Sequence, residues 1–205
     1  PGKLIFRGSG AATDVFSAIE RAMTGGRGFE GRRGADPNIP DVPANCTFDE
    51  FLEVLRGVVT RDVWAGYRNH LPLDAVQSRW GQTPFTSCFF DGCIEAGRDM
   101  SLRTKYDVRA AGGGYFANTV DALAAIREVV FEKREATLSG ISEACAANFR
   151  GYERLRAKLL AAPKHGNDDP RLIDIVDAVE RLTDEPFEAV SRTAGYPIGK
   201  THIVR

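Results

Sequence analysis

Apolar residues recur at intervals of three and four along most of this chain, and glycine or proline closes nearly every stretch in which they do so. A chain patterned this way folds mainly as amphipathic helices joined by turns. Residues 14 to 23 carry Phe16, Ile19 and Met23 at helical spacing, and Gly25-Gly26 stop them. Thr47-Phe48-Asp49-Glu50 reads as a capping box, in which Thr47 accepts from the third backbone N–H and Glu50 reaches back. Phe48, Phe51, Leu52, Leu55 and Val59 follow as one stripe. Thr83-Pro84 predicts a helix that carries Phe85, Cys88, Phe89 and Cys93 and ends at Gly97. Asn118 or Thr119 is expected to cap the next, with Val120, Leu123, Ala124 and Val130 on its apolar side. A single long helix is predicted from about Ser139 to Leu160, presenting Ile141, Cys145, Phe149, Tyr152, Leu155 and Leu159, with Pro163 ending it. Asp169-Pro170 opens a last helix with Ile173, Val176, Val179 and Leu182. Residues 24 to 46 break the pattern: a glycine- and arginine-rich run leads into Asp36-Pro37 and on to Pro40 and Pro43, as in a long loop. There is no internal repeat and no low-complexity tract.

Composition narrows the function by exclusion. The 205 residues suit one domain or part of a larger one, and the formal net charge of -1 favours neither nucleic acid nor an anionic membrane. No apolar run approaches a membrane span, and no signal peptide is visible. Cys46, Cys88, Cys93 and Cys145 form no Cys-x-x-Cys pair and stand far from His70, His165 and His202, which argues against a zinc site. Widely spaced thiols of this kind predict a reduced, cytoplasmic protein. The chain opens on Pro1-Gly2 without methionine and closes on Thr201-His202-Ile203-Val204-Arg205, apolar and β-branched like a strand cut short. Both ends read as cuts within a longer polypeptide.

Three segments together resemble the glycyl radical enzymes of the pyruvate formate-lyase and glycerol dehydratase superfamily. The first is Pro84-Phe85-Thr86-Ser87 running into Asp91-Gly92-Cys93-Ile94-Glu95-Ala96-Gly97-Arg98-Asp99. The second runs from Gly114 through Asn118 to Ile126 and is similar to a family stretch ending Asp-Ser-Leu-Ala-Ala-Ile-Lys, with Ala122 for Ser and Arg127 for Lys. The third is Asn148-Phe149-Arg150-Gly151-Tyr152-Glu153, followed by Pro163-Lys164-His165-Gly166-Asn167-Asp168-Asp169. All three stand in the family's order and at roughly its spacing. Residues 47 to 185 match best.

The resemblance implies an α/β fold: a mostly helical piece of a ten-stranded α/β barrel, with residues 1 to 205 part of a single domain of the pyruvate formate-lyase type. Strands are expected around 106 to 116 and 198 to 205. It also implies the chemistry. A protein-based glycyl radical, installed by an activating enzyme that uses S-adenosylmethionine and an iron–sulfur cluster, abstracts hydrogen from a cysteine. The thiyl radical then attacks a small substrate, and a glutamate two residues beyond the cysteine serves as base in many members. The implied parent is an anaerobic, cytoplasmic homodimer, a lyase or dehydratase that cleaves a C–O, C–N or C–C bond. Alternatives are the formate acetyltransferase branch and a non-catalytic, stand-alone remnant. Lys105-Tyr106-Asp107 stands where many dehydratases carry Gly-Gly-x-x-Tyr-Asn.

Gly92-Cys93-Ile94-Glu95 reads like the family's catalytic Gly-Cys-Val-Glu, with Cys93 as thiyl and Glu95 as base. Its flanks match a different family segment, downstream of the catalytic loop, and the competing reading is a small buried thiol. Arg192-Thr193-Ala194-Gly195-Tyr196 resembles the radical loop with Gly195 as radical site, against a plain surface turn. The segment is expected to bind no cofactor and, alone, to be inactive. Gly112-Gly113-Gly114 is not a phosphate-binding fingerprint, since no clear strand leads into it. Asn167-Asp168-Asp169 lacks the further oxygen ligands of a calcium loop and reads as a helix cap at Asp169. His165 reads as a loop residue, and Arg27, Arg32 and Arg33 as solvated charges.

Overall fold

A computed structural model of the chain describes residues 4–8, 13–28, 36, 38–103, 106–195 and 198–203. The elements are β1 (Leu4–Gly8), β2 (Thr13–Asp14), α1 (Val15–Met23), α2 (Phe48–Trp80), α3 (Pro84–Ser87), α4 (Cys93–Ala96), α5 (Met100–Arg103), β3 (Tyr106–Gly114), α6 (Phe116–Ile126), α7 (Leu138–Ala146), α8 (Glu153–Ala161), α9 (Ile173–Ala194) and β4 (Ile198–Ile203). A π-helical turn, Arg127–Glu132, continues α6, and a 3₁₀ turn, Pro170–Leu172, leads into α9. The sheet order is β1-β3-β2, with β4 also on β3. β1 and β3 run parallel, Leu4 opposite Tyr106 and Gly8 opposite Ala110. Parallel pairing needs a long crossover, which the intervening helices supply. The chain is therefore α/β and mostly helical. β3 and β4 fall where strands are expected; β1 and β2 carry no sequence signal of their own.

The chain divides into two compact units. One comprises residues 14–61, 114–183 and 202–203 within the described residues. Its core is apolar: Phe51, Leu55, Val58 and Val59 of α2, Val120 and Leu123 of α6, and Val129 of the π turn are almost wholly buried. Burial at this level contributes roughly 1.5–3 kcal/mol for each large side chain. The α2 start is capped reciprocally, with the Thr47 N–H on Glu50 Oε2 at 2.7 Å and the Glu50 N–H on Thr47 Oγ1 at 3.2 Å. Asp14 caps α1 by accepting from the Ser17 N–H at 3.0 Å. The described part of the 24–46 loop is tied down: Arg61 reaches Asp36 Oδ2 and the Asn38 carbonyl, both at 2.8 Å. Gly26, at φ +81°, leaves space that a Cβ would take from the Asp36 carbonyl, 2.1 Å away.

The other unit includes, within the described residues, 4–8, Thr13, 62–113 and 184–201, among them β1, most of β3 and α3 to α5. Among those of its residues whose burial is described, few large apolar side chains are buried. Val63, Cys93, Phe187 and Val190 are.

Several helices differ from the sequence expectation, each for a local reason. α1 buries Val15, Ala18, Ile19 and Ala22, while Phe16 is 46% exposed and packs at the surface on Tyr115, ring centroids 6.4 Å apart. Small alanines let α1 sit close against α6, and the alanines, not Phe16, set the inner face. α2 runs past its capped apolar stripe, through Pro72, to Trp80. The helix expected from Pro84 to Gly97 is two single turns, because Gly92 adopts φ +81° between them; Cys93 therefore does not share a helical stripe with Cys88 and Phe89. α6 begins at Phe116, with left-handed Tyr115 as its N-cap, so neither Asn118 nor Thr119 caps it. Thr119 is buried inside the first turn, its hydroxyl donating to the Tyr115 carbonyl at 2.8 Å. The long helix predicted from Ser139 to Leu160 breaks into α7 and α8. Asn148 and Phe149 take φ of 50° and 59°, Gly151 takes 82°, and a right-handed helix admits none of these. On α9 the 3₁₀ turn winds more tightly than an α-turn and shifts the face: Leu172, Ile175, Val179 and Leu182 are buried, while Ile173 is 63% exposed.

Candidate functional site

The residues singled out for chemistry lie in separate places. Left-handed Gly92 and Gly97 bracket the single turn of α4, and the Gly97 N–H returns to the Cys93 and Ile94 carbonyls. This closes the turn tightly and turns Cys93 inward, where it is 2% exposed. Glu95 is exposed. Two positions apart on a helix is about 200° of rotation, which puts thiol and carboxylate on opposing sides. Cys93 and Cys88 both line a pocket of about 220 Å³, with Ser87, Ile94 and Asp99 among its other walls. Cys88 is exposed, its Sγ 3.3 Å from the Pro84 carbonyl.

What anchors this pocket is Asp99, a residue that sequence reading did not single out. Its carboxylate accepts from the Thr83 N–H at 2.7 Å, the Ser87 hydroxyl at 2.7 Å and the Ser101 N–H at 2.9 Å. Ser87 Oγ in turn accepts from the Met100 N–H at 3.0 Å. Burial alone would push the Asp99 carboxyl up; the hydrogen bonds from Ser101, Ser87 and Thr83 outweigh it and bring it to about 2. The arrangement fastens the chain before α3 to the chain before α5. The pattern Thr-Pro followed by a later Asp was the available signal, but nothing local says that residues 16 positions apart meet.

Gly195 ends α9. Its N–H bonds the Ser191 carbonyl at 3.0 Å, its φ is +73°, and among the described residues no atom beyond its chain neighbours lies within 4 Å of where a Cβ would stand. It is exposed. Tyr196 and Pro197 lie outside the described residues, as do Arg32 and Arg33.

Gly112-Gly113-Gly114 form the end of β3, inside the stretch of 106 to 116 where a strand is expected; Tyr115 and α6 follow directly. Asp169 caps the turn before α9, accepting from the Arg171 N–H at 3.0 Å. The guanidinium of Arg171 adds an ion pair at 2.6 Å and, with that N–H, holds the Asp169 carboxyl below its ordinary value. His165 gives its backbone N–H to Asp121 Oδ1 at 2.7 Å and sets its ring edge-on to Phe116. Arg27 pairs with Asp41 at 2.7 Å in water. Among the described residues no three His, Cys, Asp or Glu side chains gather as a metal site, and no helix is long and apolar enough to cross a membrane.

A larger pocket, about 850 Å³, lies between the 41–48 segment and residues 130 to 139. Phe48 and Phe131 meet edge-to-face on its wall at 5.5 Å. The Cys46 thiol beside them is pushed up by burial and by the charge of Glu50, which suits a thiol that stays protonated.

The family model described as "Pyruvate formate lyase-like" matches residues 1–199. An isethionate sulfite-lyase of Oleidesulfovibrio alaskensis is 26% identical over 211 residues, spanning 100% of this chain and 25% of the relative. A trans-4-hydroxy-L-proline dehydratase of Clostridioides difficile is 34% identical over 108 residues, 52% of this chain and 13% of its own length. The glycerol-bound B12-independent glycerol dehydratase from Clostridium butyricum superposes with a TM-score of 0.81 at 21% identity, over 98% of this chain and 25% of that one. The chain thus spans about a quarter of the length of the first of these relatives and of the superposed dehydratase.

Proposed function

The chain belongs to the pyruvate formate lyase-like family, and we propose that it is part of a single domain in a glycyl radical lyase or dehydratase acting on a small substrate. The observation that carries this is the family match over residues 1–199, joined by relatives named as a sulfite-lyase and a hydroxyproline dehydratase. These names favour elimination chemistry over formate acetyl transfer, and C–S cleavage, as in loss of sulfite, joins C–O, C–N or C–C cleavage in the working range. With the reading come the closed ten-stranded barrel, the radical-installing S-adenosylmethionine enzyme as partner, a homodimer and the cytoplasm.

We take the residues present not to supply the radical relay, and no step is assigned to them. A thiyl cysteine must reach both a radical glycine and the substrate, yet Cys93 is closed inside its turn with Glu95 on the opposing side. A glycyl radical must be kept from water and quenchers, and Gly195 is an exposed helix stop. The reading therefore takes Cys93 and Gly195 as structural and puts the relay in polypeptide beyond these 205 residues. The test is electron paramagnetic resonance of the 205-residue chain after anaerobic incubation with an activating enzyme. No glycyl doublet is expected; a doublet abolished by Gly195→Ala would overturn the assignment. The intact mass of the native polypeptide adds a second check, expected to be several times 22.4 kDa.

A further inference from the structure

The cavity of about 850 Å³ between the 41–48 segment and residues 130 to 139 has no role in the reading above, and both its walls belong to one compact unit of this chain. Its size falls within the range of small-molecule sites, roughly 300–1,000 Å³. Much of the lining is apolar, and the edge-to-face pair of Phe48 and Phe131 gives it aromatic surface. Two arginines also line it, and they differ. Arg27 is paired with Asp41, which lines the same cavity, so those two charges offset one another. Arg134 has no hydrogen-bonded or ion-paired partner among the described residues. The carboxylates of its own segment are engaged elsewhere: Glu128 with Lys133, Glu132 with Arg127 at 3.0 Å and Glu135 with Lys158 at 3.0 Å. Glu50, whose charge acts on Cys46 in the wall, accepts from the Thr47 N–H and hydroxyl. One cation is left over.

The backbone sharpens the point. Lys133 ends the π turn Arg127–Glu132, and Arg134 follows at a left-handed φ of 54°. The Glu135 N–H then returns to the Val129 carbonyl at 2.9 Å. Glycine fills such a position at least cost, so the backbone gives no reason for an arginine there. A strained residue of this kind is grounds for a functional hypothesis. We infer that the cavity binds a small monocarboxylate with an aromatic or aliphatic body, the body against Phe48 and Phe131 and the carboxylate on Arg134. The single unmatched cation calls for a single negative charge, and a guanidinium takes a carboxylate through two parallel N–H···O bonds. The aromatic pair suits a flat apolar body. The inference does not rest on the proposed reaction, and its test reads binding without turnover.

Phenylacetate is the probe, and phenylacetamide is its uncharged match. Affinity is followed by ligand-observed NMR titration of the chain. The place of binding is read from alkylation of Cys46, which lines the cavity, by iodoacetamide. Trypsin leaves Cys46 in a peptide with no other cysteine, so mass spectrometry reads it apart from Cys88, Cys93 and Cys145. Phenylacetate should slow alkylation of Cys46 and leave that of Cys145 unchanged. It should bind about tenfold more tightly than the amide. Arg134→Gly should erase that preference at an unchanged or higher melting temperature, since glycine suits the backbone there. Arg134→Gln, which keeps a long side chain and loses the charge, makes the same comparison if glycine loosens the turn. Equal binding of acid and amide by the wild type, or an undiminished preference in either variant, overturns the proposal. So does alkylation of Cys46 that phenylacetate leaves untouched. The native polypeptide that contains this chain should show the same protection. Its loss there would mean that other parts of that polypeptide fill the cavity, and would equally reject the site.

Discussion

In the unit of residues 14–61 and 114–183, Phe51, Leu55, Val120 and Leu123 are wholly buried, whereas in the unit holding residues 62–113 Trp80, Phe85 and Phe89 stand mostly in water. The first unit is held by apolar packing around α6. In the second, Asp99 fastens α3 to α5 with three hydrogen bonds. A polar clasp fixes geometry well but contributes modest net stability, since each of its bonds replaces one to water. The difference teaches that one unit is held by buried apolar side chains and the other, at α3 to α5, by a polar clasp.

The sharpest way to break that comparison is Leu123→Ala. With no exposure in the wild type, the cavity should cost about 2–5 kcal/mol, read by urea denaturation followed by circular dichroism. A loss below about 1 kcal/mol would mean that the first unit is loosely packed after all. Next in size is Asp99→Ala, expected to cost about 1–3 kcal/mol by leaving the Thr83 N–H and the Ser87 hydroxyl without their acceptor. Its signature is local: hydrogen exchange should quicken at Thr83 and Ser101 and stay slow at Leu123. The pH dependence has a definite sign. The folded carboxyl, at about 2, lies below its ordinary 3.8, so its contribution is present above pH 3.8 and is lost as pH falls toward 2. Wild type should therefore lose about 1–2 kcal/mol across that interval, after allowance for partial solvent access, and Asp99→Ala should lack that component.

The same contrast governs how much the sequence disclosed. The capping box at Thr47, the Asp169 cap and the inward positions of α2 and α6 were legible because each rests on residues two to four apart. The family was legible for a related reason, since its motifs are contiguous. Left-handed backbone was not: Asn148 and Phe149 look like helix interior to a periodicity count, and only Gly151 hinted at the break. The rotation of the α9 face by one 3₁₀ turn escaped likewise, since Leu172 and Ile173 are equally apolar. At the candidate site, Gly92 was visible as a residue, but its φ of +81° decides whether Cys93 continues a stripe or begins a new turn. The Asp99 clasp depends on chain separations of 12 and 16 residues, beyond any local pattern.

A smaller effect tests the first unit from its edge. Thr47→Ala removes an exposed cap at the start of α2, where Phe51 and Leu55 already hold the helix in place. It should cost about 1 kcal/mol, seen as a lower urea midpoint with an unchanged slope. A loss as large as that of Leu123→Ala would place the weak point of this unit at the helix end and not in the core.

The smallest expected effect is also the most direct probe of the second unit. Phe85 is 80% exposed, so truncating it in the isolated chain removes little packing. What remains is its edge-to-face meeting with Phe89, worth roughly 0.5–1.5 kcal/mol at most. Against that stands relief from holding two aromatic rings in water. The two terms nearly cancel, and Phe85→Ala should change the stability of the isolated chain by less than about 0.5 kcal/mol, measured by the same urea titration as Leu123→Ala. A loss of several kcal/mol would show that the aromatic pair is this unit's own core, and the contrast between the units would collapse. A near-zero change, set beside a large one for Leu123→Ala, would mean that the exposed aromatic pair adds little to this chain's stability while the core around α6 carries it.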